Sequence, residues 1–132
     1  LAGRYPRGHD GRRFNNDDEL LAEIRSKLTT TAYLVFITFD GAGRHLATRR
    51  TDVAAKVKTG NVLRAIFSDV VSDNASDMVV AYGSKTYHQT PSLFDLSLAR
   101  SVRIAAELFN VRVARYFIIN DKNHIEIEGG SI

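Results

Sequence analysis

The polar side chains that could carry out chemistry are concentrated in one stretch, residues 81–95 (AYGSKTYHQTPSLFD). This stretch follows the apolar run Met78–Val80 and leads into a long amphipathic segment, Leu96–Phe109. A strand that ends in a polar loop and continues into a helix is where α/β domains commonly build sites. The candidate site residues here are Tyr82, Ser84, Lys85, Tyr87, His88, Thr90, Ser92 and Asp95. The stretch contains one His and neither Cys nor Glu, so strong metal ligands are scarce in it.

Asp95 has two possible roles. A catalytic zinc site needs three protein ligands, an open position for water and a base. His88 and His124 could supply two further ligands, but nothing in their spacing brings them together. Ser92 and Asp95 also form an S-x-x-D pattern, which resembles the capping box of a helix N-terminus. The sequence favours the capping role.

Two other kinds of site are weakly indicated. Ser84 follows a predicted strand, as a nucleophilic serine does, but the G-x-S-x-G pattern is not met and no His–Asp pair has a legible place beside it. The segment 41–43 (GAG) lacks the third glycine of a phosphate-binding loop and is better interpreted as a hairpin turn.

Taken together, these residues resemble the core of a RadC-like JAB domain, the bacterial branch of the JAB/MPN (JAMM) metalloprotease fold. Members have an apolar strand, then A-H-x-H-P-S-G-x-x-x-P-S-x-x-D, then a helix. Aligned without a gap, the matching positions are Ala81, Pro91, Ser92 and Asp95. Tyr82 and Ser84 fall on the two histidine ligands, and Lys85 falls on the following proline. The resemblance therefore implies that two of three zinc ligands are missing.

The resemblance extends over most of residues 32–127. Phe39-Asp40 with Arg44 resembles the L-D-x-x-x-R hairpin of the family. Residues 113–120 resemble its V-L-D-H-L-I-I-G segment, with Arg115 and Tyr116 on the Asp-His pair.

The resemblance also implies a change of charge in the former metal pocket. The general-base Glu of the family falls near Arg49 or Arg50, neither of which is acidic. Together with Lys85 and Arg115, these cations would favour an anionic ligand. The alternative is sequence drift after loss of activity, with each Arg on a solvated face; the residues favour this alternative.

Composition sets the wider limits. The 132 residues suit one domain with a sizeable core, with 44% hydrophobic and 25% charged residues. The absence of cysteine excludes disulfides, thiol catalysis and Cys-ligated zinc, and it fits a cytoplasmic location. A net charge of +3 permits contact with nucleic acid without requiring it. No apolar run is long enough to span a bilayer, and the chain begins at Leu1, so its natural N-terminus may lie further upstream.

The elements that must position the site follow from hydrophobic periodicity. Residues 1–16 predict a flexible basic arm, and residues 17–132 a single domain. Its predicted elements are a helix at 17–28 capped by Asn16 or Asp17, strands at 32–39 and 44–50, a helix from 59 to about 72, a strand at 77–81, a helix from Ser92 to Phe109 stopped by Asn110, and strands at 111–119 and 124–128. The fold class is α/β (α+β): a mixed sheet flanked by helices in the three-layer arrangement of JAB/MPN and cytidine-deaminase-like domains.

The sequence thus predicts a degenerate RadC-like JAB domain without metalloprotease activity or cofactor, acting as a binding or interaction module. The expected partner is a protein or an anionic ligand, not a membrane, and a homo-oligomer is possible. Two alternatives stay open. One is a zinc-dependent JAB-class hydrolase with a non-standard ligand set; the other is a DNA-repair-associated module that binds nucleic acid through its Arg-rich arm, Tyr82, Tyr87 and Lys85.

Overall fold

The computed structural model describes residues 13–53 and 59–129. Their elements are α1 (Asp17–Arg25), β1 (Tyr33–Phe39), β2 (His45–Thr51), α2 (Thr59–Ser72), β3 (Asp77–Gly83), α3 (Leu93–Leu108), β4 (Arg112–Ile119) and β5 (His124–Glu126). The order and type of every element agree with the prediction, and the elements form a single α+β domain.

The five strands form one mixed sheet in the order β2-β1-β3-β4-β5. Strand β1 is antiparallel to both β2 and β3, β3 is parallel to β4, and β4 is antiparallel to β5. The nearly continuous apolar run of β1 predicted a strand covered on both faces. Its five inner residues, Leu34–Thr38, are all buried, which confirms that prediction.

Helix α1 covers one face of the sheet. Leu20, Leu21, Ile24 and Leu28 are at most 7% exposed and pack against alternate residues of the three central strands. The predicted docking of this helix is confirmed. Its length is shorter than predicted, because the helix ends at Arg25 and Ser26 caps it, while Leu28 reaches the core from the following turn.

Helices α2 and α3 cover the other face. Their apolar sides meet the residues of β1, β3 and β4 that point away from α1, including Phe36, Val80 and Tyr116. The domain therefore has three layers, with α1 on one side of the sheet and α2 and α3 on the other.

Both ends of α3 have the predicted capping residues. Ser92 is the N-cap, and the reciprocal hydrogen bonds of a capping box join it to Asp95. At the other end Asn110 adopts a left-handed backbone (φ 57°), a conformation that terminates many helices. These short-range patterns were predictable because each depends on residues close in sequence.

Strand β3 extends two residues beyond the predicted strand, so Tyr82 and Gly83 belong to the sheet. Gly83 pairs with Ile119 of β4, and a Cβ atom at Gly83 would lie 1.8 Å from the Ile119 carbonyl oxygen. Only a glycine permits this approach of two backbones. Strand β3 therefore stays paired with β4 up to its carboxyl end, where Tyr82 lies.

Most of the predicted N-terminal arm, residues 1–12, lies outside the described residues. The last part of residues 1–16 is packed on the domain: the Phe14 ring contacts the Phe39 and His45 rings, and Asn16 caps α1. No helix among the described residues combines the length and apolar character that crossing a bilayer requires.

Candidate functional site

The candidate site lies at one edge of the sheet. Strands β2 and β3 are both antiparallel to β1, so they run in the same direction, and β4 is parallel to β3. The carboxyl ends of these three strands therefore meet at a single edge, together with the N-terminus of α3. Residues 84–92, which join β3 to α3, cross this edge.

Hydrogen bonds to two neighbouring segments hold the 84–92 loop. The Lys85 N–H donates to the Thr29 carbonyl oxygen at 2.8 Å, and the Lys85 carbonyl accepts from the Asp121 N–H at 3.2 Å. The Asn120 side-chain amide donates to the Tyr87 carbonyl oxygen at 2.9 Å. The loop is thus tied to the start of β1 and to the β4–β5 turn, while the Lys85 side chain points to solvent.

Asp95 is the centre of the site. It is 1% exposed, and both carboxylate oxygens accept hydrogen bonds. Oδ1 accepts from the Tyr87 hydroxyl at 2.7 Å. Oδ2 accepts from the Ser92 N–H at 2.8 Å, from the Ser92 hydroxyl at 2.9 Å and from His88 Nε2 at 2.8 Å. Oδ2 thus accepts from three donors and Oδ1 from one, so the protein engages both oxygens of the carboxylate.

The hydrogen bonds decide the charge state of Asp95. Burial alone would raise the pKa of this carboxyl, but the bonds from the Ser92 backbone, His88, Tyr87 and the Ser92 hydroxyl outweigh burial and leave the pKa below its usual value. Asp95 is therefore an ionised acceptor at neutral pH. His88 must then carry a hydrogen on Nε2, from which it donates to Asp95.

Three tyrosines surround Asp95. Burial raises the pKa of Tyr82, Tyr87 and Tyr116, and the negative charge of Asp95 raises it further. All three are consequently neutral hydroxyls at physiological pH. The Tyr82 ring makes edge contacts with the rings of Tyr87 and Phe94, at centroid distances of 5.1 and 5.7 Å. Tyr116 is fully buried, and its hydroxyl has no protein partner among the described residues.

The structure does not bring Arg115 to this cluster. Arg115 lies on the α1 side of the sheet, where it makes two hydrogen bonds to each of Asp17 and Glu126 and covers the Phe117 ring. Tyr116, the next residue, faces α3 on the opposite side. The grouping of Arg115 with Tyr116 in one pocket was wrong, because adjacent residues of a strand point to opposite faces.

Arg49 and Arg50 also lie elsewhere. Arg49 pairs with Asp73, the residue after α2, through its Nε atom at 3.1 Å and through Nη2. Arg50 covers the Tyr33 ring at 4.7 Å and donates to the Lys27 carbonyl oxygen. The expected cationic pocket is therefore absent from the described residues around Asp95.

Asp52 is a residue that the sequence reasoning missed. Thr51 and Tyr82 both pair with Leu34, one on each side of β1, so Asp52 follows β2 at the same edge as Tyr82. Its negative charge contributes to raising the pKa of Tyr82. The available signal was strand direction: an acidic residue directly after β2 reaches the same edge as the end of β3.

The described residues do not form either of two other sites considered from the sequence, a zinc site of His88, Asp95 and His124 and a nucleophilic Ser84. His124 contacts the Phe117 ring on the α1 side of the sheet, whereas His88 binds Asp95 on the side of α3. In the described part of the chain, no hydrogen bond joins the Ser84 hydroxyl to His88, although Ser84 is 5% exposed at the end of β3. The one pair that forms, His88 with Asp95, is seven residues apart in sequence.

The sequence matches the RadC-like JAB domain family over residues 14–129, which include the whole sheet, all three helices and the Asp95 cluster. The chain belongs to this family. The match covers most of the chain and agrees with the three-layer fold, so the positions of the family motif can be placed on the structure.

Two bacterial relatives are each named a UPF0758 protein. The chain is 25% identical over 95 residues to that of Pelobacter propionicus, a match that covers 70% of this chain and 41% of the relative. It is 22% identical over 125 residues to that of Geotalea uraniireducens, covering 92% of this chain and 55% of the relative. The chain thus spans about half the length of the curated relatives that it matches.

The residues of this RadC-like JAB domain do not fit the zinc that the family implies. The motif resemblance implies imidazole ligands at Tyr82 and Ser84, but both residues carry neutral hydroxyls, which are poor zinc ligands, and burial raises the pKa of Tyr82. Asp95 keeps the family position, but hydrogen bonds engage both of its oxygens. Among the described residues, no three His, Cys, Asp or Glu side chains lie close enough to share an ion.

Proposed function

We propose that this RadC-like JAB domain has lost zinc-dependent peptidase chemistry and acts as a binding module for another polypeptide. The observation that carries the proposal is the hydrogen bonding of Asp95. In a metal site this carboxylate would present an oxygen to the ion. Here Ser92, Tyr87 and His88 donate to it, so Asp95 holds the α3 N-terminus and the 84–92 loop in place.

The same contacts support a binding role. The loop is fixed by backbone hydrogen bonds, so little conformational entropy would be lost when a partner docks on it. Phe94 is 48% exposed beside Tyr82, and the His88 ring lies 4.0 Å from the Tyr87 ring with 47% of its side chain exposed. Rigid aromatic groups with polar tips are frequent at protein interfaces.

Electrostatics favour a polypeptide over an anion at this edge. The guanidinium groups of Arg49 and Arg115 are paired with carboxylates elsewhere. Lys85 remains on the loop, but Asp52 and Asp95 bring negative charge to the same place. The described residues at this edge would therefore offer a phosphate or nucleic acid strand little net positive charge.

Metal analysis tests the loss of zinc chemistry. The protein dialysed against zinc is expected to retain much less than one zinc ion per chain. The double variant Tyr82→His/Ser84→His restores two ligand types of the family and is the positive control, expected to retain more zinc. One zinc per wild-type chain, lost on Asp95→Ala, would support the zinc-dependent hydrolase instead.

Binding to an array of immobilised, unrelated peptides tests the module. Phe94→Ala should lower the affinity for the bound peptides by about tenfold, as loss of an aromatic anchor does. Arg112→Ala is the control: its side chain is 75% exposed, and it starts β4 at the opposite edge of the sheet. If no peptide depends on Phe94, while generic DNA binds in a salt-dependent manner, the nucleic-acid alternative is supported and the polypeptide proposal fails.

A further inference from the structure

A second surface lies at the other end of α3, away from Asp95. Four large apolar side chains are about half exposed or more there: Val71 (55%), Ile104 (51%), Leu108 (82%) and Phe109 (49%). Two of them, Val71 and Phe109, line an apolar groove of about 550 Å³ between α2 and α3, whose other lining residues are Leu63, Arg64, Phe67, Ser68 and Ala105. Clustered exposed apolar groups of this kind mark interaction surfaces.

The groove has a defined shape. The Phe67 and Phe109 rings are stacked, with centroids 5.2 Å apart and an angle of 10° between the planes. Phe67 is 2% exposed, so the stack anchors the half-exposed Phe109 ring to the core. Leu108, next to Phe109, projects into solvent. One surface thus carries both a protruding side chain and a concave apolar site, as an interface between identical subunits requires.

The charges on α3 suit a second copy of the chain. Arg100, Ile104, Glu107 and Leu108 lie on one side of the helix, because the other three are each three or four residues from Ile104. Arg100 and Glu107 stand on either side of Ile104. If two α3 helices pack antiparallel about a twofold axis level with residues 103 and 104, Arg100 of each copy faces Glu107 of the other.

We propose that this surface, formed by Ile104, Leu108, Phe109 and the α2–α3 groove, is the interface of a homodimer. The arrangement is self-complementary: the twofold axis brings the apolar patches together and forms two Arg100–Glu107 pairs at the rim. It does not depend on the function of the Asp95 cluster.

Sedimentation velocity over a range of protein concentrations tests the proposal. The wild-type protein is expected to show a monomer–dimer equilibrium. Leu108→Glu should raise the dimer dissociation constant about tenfold, because it places a charge within the apolar interface. Leu93→Glu is the matched control: Leu93 is 84% exposed on the same helix but outside this surface, and its variant should dimerise as the wild type does. Circular dichroism should show that both variants remain folded.

A charge exchange tests the geometry. Arg100→Glu and Glu107→Arg should each weaken the dimer, and the double variant R100E/E107R should restore it. A wild-type protein that stays monomeric at every concentration would overturn the proposal, because the surface would then not bind a second copy of the chain. Equal effects of Leu93→Glu and Leu108→Glu, with no rescue by the double variant, would show non-specific association and would overturn it as well.

Discussion

At the scale of single residues, Asp95 shows how hydrogen bonds can keep a buried carboxylate ionised. The motif resemblance implies a metal ligand at this position, and in the structure the partners of the carboxylate are the donors of a helix cap and a loop. Among the described residues, no group of three His, Cys, Asp or Glu side chains that could hold a metal ion includes Asp95. The ionised carboxylate instead organises Tyr87, His88 and Ser92 around the start of α3.

Asp95→Ala should lower the free energy of unfolding by about 2 kcal/mol, at the upper end of the loss for helix caps, since the hydroxyl of the partly buried Tyr87 also loses its acceptor. Urea unfolding measures the change. Ser92→Ala is the comparison, with an expected loss of about 1 kcal/mol. An unchanged midpoint for Asp95→Ala would refute the capping role.

The lowered pKa of Asp95 predicts a specific acid sensitivity. Since the folded-state pKa lies below the usual value of 3.8, the ionised carboxylate stabilises the fold fully above pH 3.8, and this contribution is lost as pH falls through the folded-state pKa. The stability difference between wild type and Asp95→Asn should be constant near neutrality and should shrink below pH 3.8. Urea midpoints measured at several pH values check this; a difference that grows on acidification would contradict it.

At the scale of elements, the pairing of β3 with β4 decides what reaches the site edge. The parallel pairing runs from Asp77–Arg112 to Gly83–Ile119, with an irregularity after Met78. This pairing places Tyr82 and Tyr116 on the α3 side of the sheet. Arg115 of β4 lies on the other side, where its ion pairs with Asp17 and Glu126 link β4 to α1 and β5. One strand thus contributes to both faces of the domain.

Gly83→Ala should be strongly destabilising, by about 3 kcal/mol, because the new Cβ would meet the Ile119 carbonyl oxygen at 1.8 Å and the strands would have to separate. Gly41→Ala is the matched control: its Cβ would lie 3.6 Å from the Ser76 hydroxyl oxygen, an ordinary contact. Thermal unfolding of the two variants distinguishes them. Equal stability would mean that β3 and β4 are not paired closely at Gly83.

At the scale of the whole molecule, the domain depends on having a helical layer on each side of the sheet. Among the described residues, helix α1 and Leu28 in the turn after it cover one apolar face, and Leu21 and Ile24 of the helix are 4% and 0% exposed. Without that layer the central strands would present a continuous apolar surface to water.

A chain that begins at residue 29 should therefore aggregate when expressed, whereas one that begins at residue 13 should remain soluble. The first deletion removes α1 and exposes the apolar face it covers, formed by Val35, Ile37, Val79, Ala81, Phe117 and Ile119. The second removes only residues outside the described structure. Light scattering of the purified chains compares them. A soluble, folded chain from residue 29 would show that α1 is dispensable.

The sequence by itself determined the order of elements, the burial of β1, the docking of α1, and the capping box at Ser92 and Asp95. Each of these depends on a pattern within one element or across one turn. Apolar periodicity specifies which side of a helix is buried, and a capping pattern of four residues is complete within itself.

Only the tertiary structure decided which side chains share the site. The predicted pocket does not contain Arg49, Arg50 or Arg115, because each of these side chains contacts a carboxylate or a ring from a distant segment. Asp52 and Tyr82 meet at one edge because β2 and β3 run in the same direction on either side of β1. Strand order and direction arise from contacts far apart in sequence, and local patterns do not specify them.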